Sequence, residues 1–199
     1  MKFICPASMR PHVQKVFAGE YDLPVEDVER VLDIGANVGA FAMWAPNRWP
    51  GCIIDCYEPD PANYATLQRN CEDEREGGTR LHPVAVCFAG KAPLYRGRNN
   101  CGESTLFPND EHDVGNVVEV ECISAQDLPP CDVLKIDTEG AEFPIVAGYA
   151  HMAGVKGVAY EWHSQRDREA IARILVANGL HLYKDTQWAA ERGVARWVR

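Results

Sequence analysis

The run Val31-Leu32-Asp33-Ile34-Gly35-Ala36-Asn37-Val38-Gly39-Ala40-Phe41 constrains this chain more than any other stretch. A short apolar strand ends in an acid, turns on two glycines and enters an apolar helix. Glycines permit such a turn and let a ligand approach the backbone closely. The helix start offers N–H groups that have no partner within the helix. About 20 residues past Gly39, a second apolar run, Cys52–Tyr57, ends in Glu58. An acid at the tip of the neighbouring strand is placed to hold both hydroxyls of a ribose. Together the two segments read as a nucleoside pocket.

Residues that are missing narrow the choice of nucleoside. A dinucleotide fingerprint needs G-x-G-x-x-G, whose second glycine lets a pyrophosphate lie on the backbone. Asn37 and Ala40 stand at the second and third glycine positions, and no G-x-x-x-x-G-K-[S/T] loop occurs in the chain. Asp33 at the pocket mouth is expected to repel a pyrophosphate and attract an ammonium group. A ribose and an ammonium without a phosphate describe S-adenosylmethionine. The alternative without a ligand is a tight strand–helix turn and nothing more.

Beyond this run, strand-like and helical segments alternate. The pattern predicts helices over Val38–Ala45, closed by Pro46 and Pro50, and over Pro61–Asn70, with Asp60 as its N-cap. Strands are predicted over Arg80–Val86, Asp132–Asp137 and Val155–Trp162. Lys91–Arg96 and Asn116–Ile123 read as two β-runs around the polar loop Gly97–Gly115. Glu142–Ala150 and Asp167–Asn178 read as helices, the second stopped by Gly179. Leu180–Lys184 and Val194–Val198 close the chain as strands. Such alternation implies a mainly parallel sheet with helices on both faces, and a ligand edge at the carboxyl ends of the strands. Asp33, Glu58, Asp137 and Glu161 all fall on that edge. Residues 1–27 stand apart as an N-terminal segment, with Arg10–Ala18 a short amphipathic helix that acts as lid or brace. Residues 28–199 form one domain.

Composition excludes several classes. The chain of 199 residues has 46% hydrophobic and 25% charged residues, ordinary for a globular domain. Its net charge of −9 disfavours a nucleic-acid partner, and the densest basic stretch, Arg96-Gly97-Arg98, is short. The 8 cysteines contain no C-x-x-C pair and read as structural thiols. The N-terminus lacks the apolar core of a signal peptide, and no run approaches the ~20 apolar residues of a membrane span. The expected location is the cytoplasm.

Three further segments complete a pattern: Tyr57-Glu58-Pro59-Asp60-Pro61-Ala62-Asn63-Tyr64, Leu134-Lys135-Ile136-Asp137-Thr138-Glu139-Gly140-Ala141-Glu142, and Glu161-Trp162-His163. With Asp33–Gly39 they make the chain resemble the FkbM family of S-adenosylmethionine-dependent methyltransferases. The resemblance runs from about Val31 to His163. Lys-Ile-Asp-x-Glu-Gly-x-Glu is its most specific element, and Ser104-Thr105-Leu106 is similar to the family's small-polar loop. It implies a class I methyltransferase fold: a Rossmann-like, doubly wound α/β domain on a mostly parallel seven-stranded sheet with an antiparallel C-terminal strand. It also implies methyl transfer, usually to a hydroxyl oxygen of a natural product or sugar. The chain departs from the family in having little N-terminal extension to build a substrate lid.

The expected cofactor contacts are Asp33, Gly35, Ala36, Asn37 and Gly39 in the turn, Glu58 and Pro59 after the second strand, Ala85 near the adenine edge, and Asp137. Methyl transfer is mostly positioning, but a hydroxyl acceptor must also lose its proton to a nearby base. His163, Asp137 and Glu161 are the catalytic candidates, His163 first because an imidazole titrates near neutral pH. Glu139, Glu142 and Glu161 with His163 can also hold a divalent cation that lowers the acceptor pKa. Carboxylates at a helix start serve more often as dipole partners, so no metal is assigned. The expected partner is a small-molecule or glycan hydroxyl bound against Arg10–Tyr21 and Gly97–Gly115. Three alternatives remain: a metal-assisted O-methyltransferase, a catalytically silent S-adenosylmethionine-binding module, and a dehydrogenase on the same sheet.

Overall fold

The computed structural model describes residues 3–72, 78–97, 102–108 and 112–199. Arg98, Cys101 and part of the polar loop lie outside them. The strands are β1 (Arg30–Ile34), β2 (Ile53–Tyr57), β3 (Thr79–His82), β4 (Ala85–Cys87), β5 (Gly90–Gly97), β6 (His112–Ser124), β7 (Val133–Ile136), β8 (Gly157–Trp162), β9 (His181–Ala189) and β10 (Arg192–Val198). The helices are α1 (Arg10–Phe17), α2 (Ala40–Arg48), α3 (Pro61–Asn70), α4 (Glu142–Gly148) and α5 (Gln165–Ala177). Seven strands form one sheet in the order β3-β2-β1-β7-β8-β10-β9. Neighbours from β3 to β8 pair in parallel, and β10 runs antiparallel between β8 and β9. The expected class I methyltransferase architecture is therefore present.

The alternation within β1 shows how the strands sort their side chains. Leu32 and Ile34 enter a core with Ile145 and Val146 of α4 and Ile171 and Leu175 of α5. Val31, one position out of phase, enters the opposite core with Phe41 and Ala42 of α2 and Leu67 of α3. A two-residue strand period thus gives the sheet two apolar faces, each covered by helices. Burial of each such side chain contributes about 1.5–3 kcal/mol. Tyr21, Leu23, Val25 and Val28 join the second core, so the N-terminal segment is built into the domain. The described cysteines are free thiols, with Cys52, Cys56, Cys71, Cys122 and Cys131 buried.

Some element boundaries differ from the sequence reading. The expected third strand, Arg80–Val86, is two strands. β3 pairs with β2, and after Pro83 the chain leaves that sheet to form β4 in a second sheet of order β4-β6-β5. Proline has no N–H for the ladder, which explains the break there. α2 starts at Ala40 and continues past Pro46 to Arg48. The last helix begins at Gln165, ahead of Asp167, because the Ser164 hydroxyl caps it by accepting from Asp167 N at 3.0 Å. α3 has the expected cap: Asp60 accepts from Ala62 N at 2.8 Å.

The turn after β1 is shaped by the chain's own backbone. Gly35 N and Ala36 N both donate to Tyr57 O at 3.0 Å, and Asp137 N donates to Ile34 O at 3.0 Å. Gly35 has φ +78°, and a Cβ there would lie 1.7 Å from the carbonyl oxygen of Asp137. Close passage of β1 past β7 therefore requires glycine at this position whether or not a ligand is bound. Gly51 has a similar φ of +82°, but a Cβ there would meet no atom within 4 Å, so this position reports backbone strain alone. Gly35→Ala is expected to lower unfolding free energy by at least about 2 kcal/mol more than Gly51→Ala in urea denaturation. Equal losses would show that the contact with Asp137 relaxes freely.

Candidate active site

The carboxyl ends of β1, β2 and β7 open onto a cleft of about 570 Å³. Its walls include Gly35, Asn37, Tyr57, Glu58, Pro59, Asn63, Ala85, Ser104, Leu106 and Asp137. Six expected cofactor contacts thus meet in one place: Gly35, Asn37, Glu58, Pro59, Ala85 and Asp137. Glu58 is buried, and its two oxygens accept from Asn37 N and Asp60 N, each at 2.8 Å. Burial pushes its carboxyl up to about 7, against the pull of those two N–H groups. Asn37 has φ +51°, and its side-chain Oδ1 is buried without a hydrogen-bond partner. Asn37 and a braced carboxylate thus stand side by side along the cleft, a set suited to hydroxyl and ammonium donors.

Three expected contacts lie elsewhere. Asp33 is wholly buried and does not reach the cleft mouth, because its Oδ1 meets Lys135 Nζ at 2.9 Å. The ammonium group it attracts belongs to the protein. Gly39 caps α2 with φ +89°, and a Cβ there would come within 2.8 Å of Leu67 Cδ1, so helix packing explains this glycine. Ala36 borders a separate cleft of about 370 Å³, shared with Met9, His12, Tyr21, Phe41, Lys135 and Asp137.

Lys135 is buried and donates to Gly35 O at 2.7 Å as well as meeting Asp33. Burial works against its charge, but Asp33 and then Asp137 outweigh it and hold its pKa above the usual lysine value. Its Nζ lies 4.0 Å from Asp137 Oδ2, and the Tyr21 hydroxyl donates to that same oxygen at 3.1 Å. Both contacts converge on one oxygen of the Asp137 carboxylate. Nothing in the local pattern around Tyr21 signals this contact, which joins positions 116 apart in sequence. Lys135, in contrast, lies within the Lys-Ile-Asp element.

The remaining candidates gather beyond Asp137. His163 Nε2 lies 3.0 Å from Glu139 Oε2 and 3.4 Å from Glu161 Oε1, and its Nδ1 lies 3.4 Å from Glu142 Oε1. Burial opposes the imidazolium, but the three carboxylates dominate and raise its pKa far above the usual histidine value. Three carboxylates around the ring favour its charged form, which works against the expected role of His163 as a neutral base. Glu161 is pushed up to about 8 by burial and then by Asp137, with His163 pulling the other way. Glu142 does not face the cleft. It accepts from Thr138 N, Thr138 Oγ1 and Gly140 N at 3.0–3.1 Å and braces both the turn and His163. The Thr105 hydroxyl donates to Glu139 O at 2.5 Å, which pins the Ser104-Thr105-Leu106 element to this turn.

A third cleft, of about 470 Å³, begins at Asp137, Glu139 and Glu161 and extends outward. Met9 and His12 beside and on α1, Gly102 and Glu103 of the loop, and Trp188 and Arg192 of the β9–β10 hairpin form its outer walls. Of these, His12, Gly102 and Glu103 fall in the segments expected to meet the acceptor, and Met9 lies just before the first of them. The hairpin contribution has no signal in the sequence, because pairing of β9 with β10 is what brings Trp188 over the strand ends.

Comparison with known proteins agrees with this geometry. Residues 33–183 match the Methyltransferase FkbM domain. The chain is 29% identical to the methyltransferase sdnD of Sordaria araneosa, over 81% of this chain and 78% of that protein. It is 27% identical to the 31-O-demethyl-FK506 methyltransferase FkbM of Streptomyces tacrolimicus, over 59% of this chain and 58% of that protein. Among solved structures, a methyltransferase FkbM from Methylobacillus flagellatus superposes with a TM-score of 0.56 at 17% identity, covering 89% of this chain and 45% of that one. The chain belongs to the FkbM family of S-adenosylmethionine-dependent methyltransferases.

Proposed function

We propose that this protein methylates a hydroxyl oxygen on a small molecule or glycan, with the methyl donor in the Glu58 cleft and the acceptor in the cleft beyond Asp137. One observation carries the reading: Asp137 lines both the 570 Å³ cleft and the 470 Å³ cleft. Asn37, Gly102 and Glu139 line both as well, so the clefts meet along this edge and a group transferred between their ligands crosses beside Asp137. The name of the Streptomyces relative, a methyltransferase of a 31-O-demethyl compound, supports oxygen as the acceptor atom.

The cofactor half rests on Glu58, whose oxygens border the cleft while two backbone N–H groups hold the carboxylate in place. Each oxygen keeps a second lone pair for a ribose hydroxyl. Asn37 and Gly35 line the same cleft and suit the amino-acid end of the donor. Val84 and Ala85 line the far wall, where the adenine ring is expected. When bound, S-adenosylmethionine supplies an electrophilic methyl group whose S–C bond breaks as the new O–C bond forms.

On the acceptor side, Asp137 takes the hydroxyl proton. Tyr21 and Lys135 occupy Oδ2, so the other oxygen is left toward the acceptor. His163 positions Glu139 and Glu161 and does not act as the base. Among the described residues, no helix is long and apolar enough to cross a membrane.

Three outcomes test this reading. Glu58→Ala is expected to weaken S-adenosylmethionine binding at least tenfold by calorimetry; unchanged affinity would place the nucleoside elsewhere. Because ionised Glu58 is the form that accepts both ribose hydroxyls and its carboxyl sits at about 7, affinity should rise about tenfold between pH 6 and pH 8. Glu58→Gln should remove that pH dependence. Asp137→Asn is expected to lower kcat by about 100-fold or more while cofactor affinity stays within about threefold. Tyr21→Phe should lower kcat less, with little change in cofactor affinity. Equal losses in binding and turnover would assign Asp137 to the cofactor alone.

A further inference from the structure

Asp137, Glu139, Glu161 and His163 each direct one ligand-type atom into a common space, and these atoms all lie within 4.8 Å of one another. Donors around a single ion at about 2.0–2.3 Å are separated by comparable distances. Three of the four, Asp137, Glu161 and His163, stand beside the ends of adjacent parallel strands, β7 and β8, so their spacing is held by the sheet. Glu139 is turned toward the others by the segment that Thr105 pins.

The surroundings of His163 match those of a metal-ligating imidazole. Both of its ring nitrogens are shut off from solvent, and neither makes an aligned hydrogen bond. The ring is nevertheless oriented from behind. Nδ1 faces Glu142, which is itself fixed by Thr138 N and Gly140 N, while Nε2 faces Glu139 and Glu161. A carboxylate behind one ring nitrogen, with oxygen donors gathered around the other, is how metal-ligating histidines are usually held. Charge points the same way. Asp137, Glu139, Glu161 and Glu142 outnumber the basic side chains Lys135, His163 and Arg192 at this end of the cleft.

We propose that Asp137, Glu139, Glu161 and His163 form a binding site for one divalent cation, Mg²⁺ or Mn²⁺, on the acceptor side of Asp137. Three carboxylates and one imidazole suit hard or borderline ions rather than thiophilic ones. Asp137, Glu139 and Glu161 line the 470 Å³ cleft, so the open side of the site faces it. The ion's chemical role rests on the methyl-transfer reading above: it lowers the pKa of an acceptor hydroxyl bound to it and eases passage of that proton to Asp137.

The test uses the full chain after chelation and dialysis, titrated with MnCl₂ and MgCl₂ by calorimetry. Mn²⁺ binding is followed in parallel by electron paramagnetic resonance. One saturable site per chain is expected, with Mn²⁺ affinity lowered at least tenfold in Glu161→Gln and in His163→Gln. Glu139→Gln gives a third reading if either of these unfolds, and circular dichroism melts verify the fold of each variant. Absence of saturable binding, or equal binding in the folded variants and the parent, overturns the site. S-adenosylhomocysteine is titrated into the same samples. If it binds while Mn²⁺ does not, the metal site fails and the methyltransferase reading stands. If Mn²⁺ binds and S-adenosylhomocysteine does not, the methyltransferase reading fails and the metal site stands.

Discussion

The buried ammonium of Lys135 is the interaction on which the site depends. It bridges Asp33 on β1 and the carbonyl of Gly35, and it reaches Asp137 just past the strand that carries it. A buried ion pair adds little net stability compared with apolar side chains of the same shape, but loss of one partner costs about 3–5 kcal/mol. The pair is therefore better understood as a device for register. Asp33 and Lys135 are partners in the β1–β7 ladder, and Gly35 packs against the Asp137 carbonyl two residues beyond them.

From that register the two halves of the site acquire different construction. The donor half is made from strand ends and the turns directly after them, held by backbone hydrogen bonds to Glu58 and across β1, β2 and β7. The proposed acceptor half borrows its outer walls from α1, Gly102 and Glu103, and the β9–β10 hairpin, elements at the periphery of the sheet. A rigid donor half with a replaceable acceptor wall is a sensible division for a family that shares one cofactor. Asp137 belongs to both halves, and the acid cluster with His163 lies where they meet.

How much of this is legible in the residues follows from how local each interaction is. The parallel sheet, the Asp60 cap and the Glu58 position can be read because each is encoded within a few neighbouring residues. The roles of Asp33 and Gly39 are misread from sequence because their partners, Lys135 and Leu67, are remote in the chain and meet them only in the fold. An unperturbed pKa makes His163 look like a base, and the three carboxylates that reverse that reasoning come from the Glu139–Glu142 segment and its own strand. Tyr21 and Trp188 carry no local signal: one reaches Asp137 through the N-terminal packing, the other through a hairpin at the far edge of the sheet.

The most direct test is a crystal structure of the protein with S-adenosylhomocysteine bound. The account predicts both ribose hydroxyls within about 3 Å of the Glu58 carboxylate, and the sulfur turned toward Asp137 and the cleft that Trp188 borders. A nucleoside that left Glu58 untouched, or a sulfur that faced away from Asp137, would contradict it.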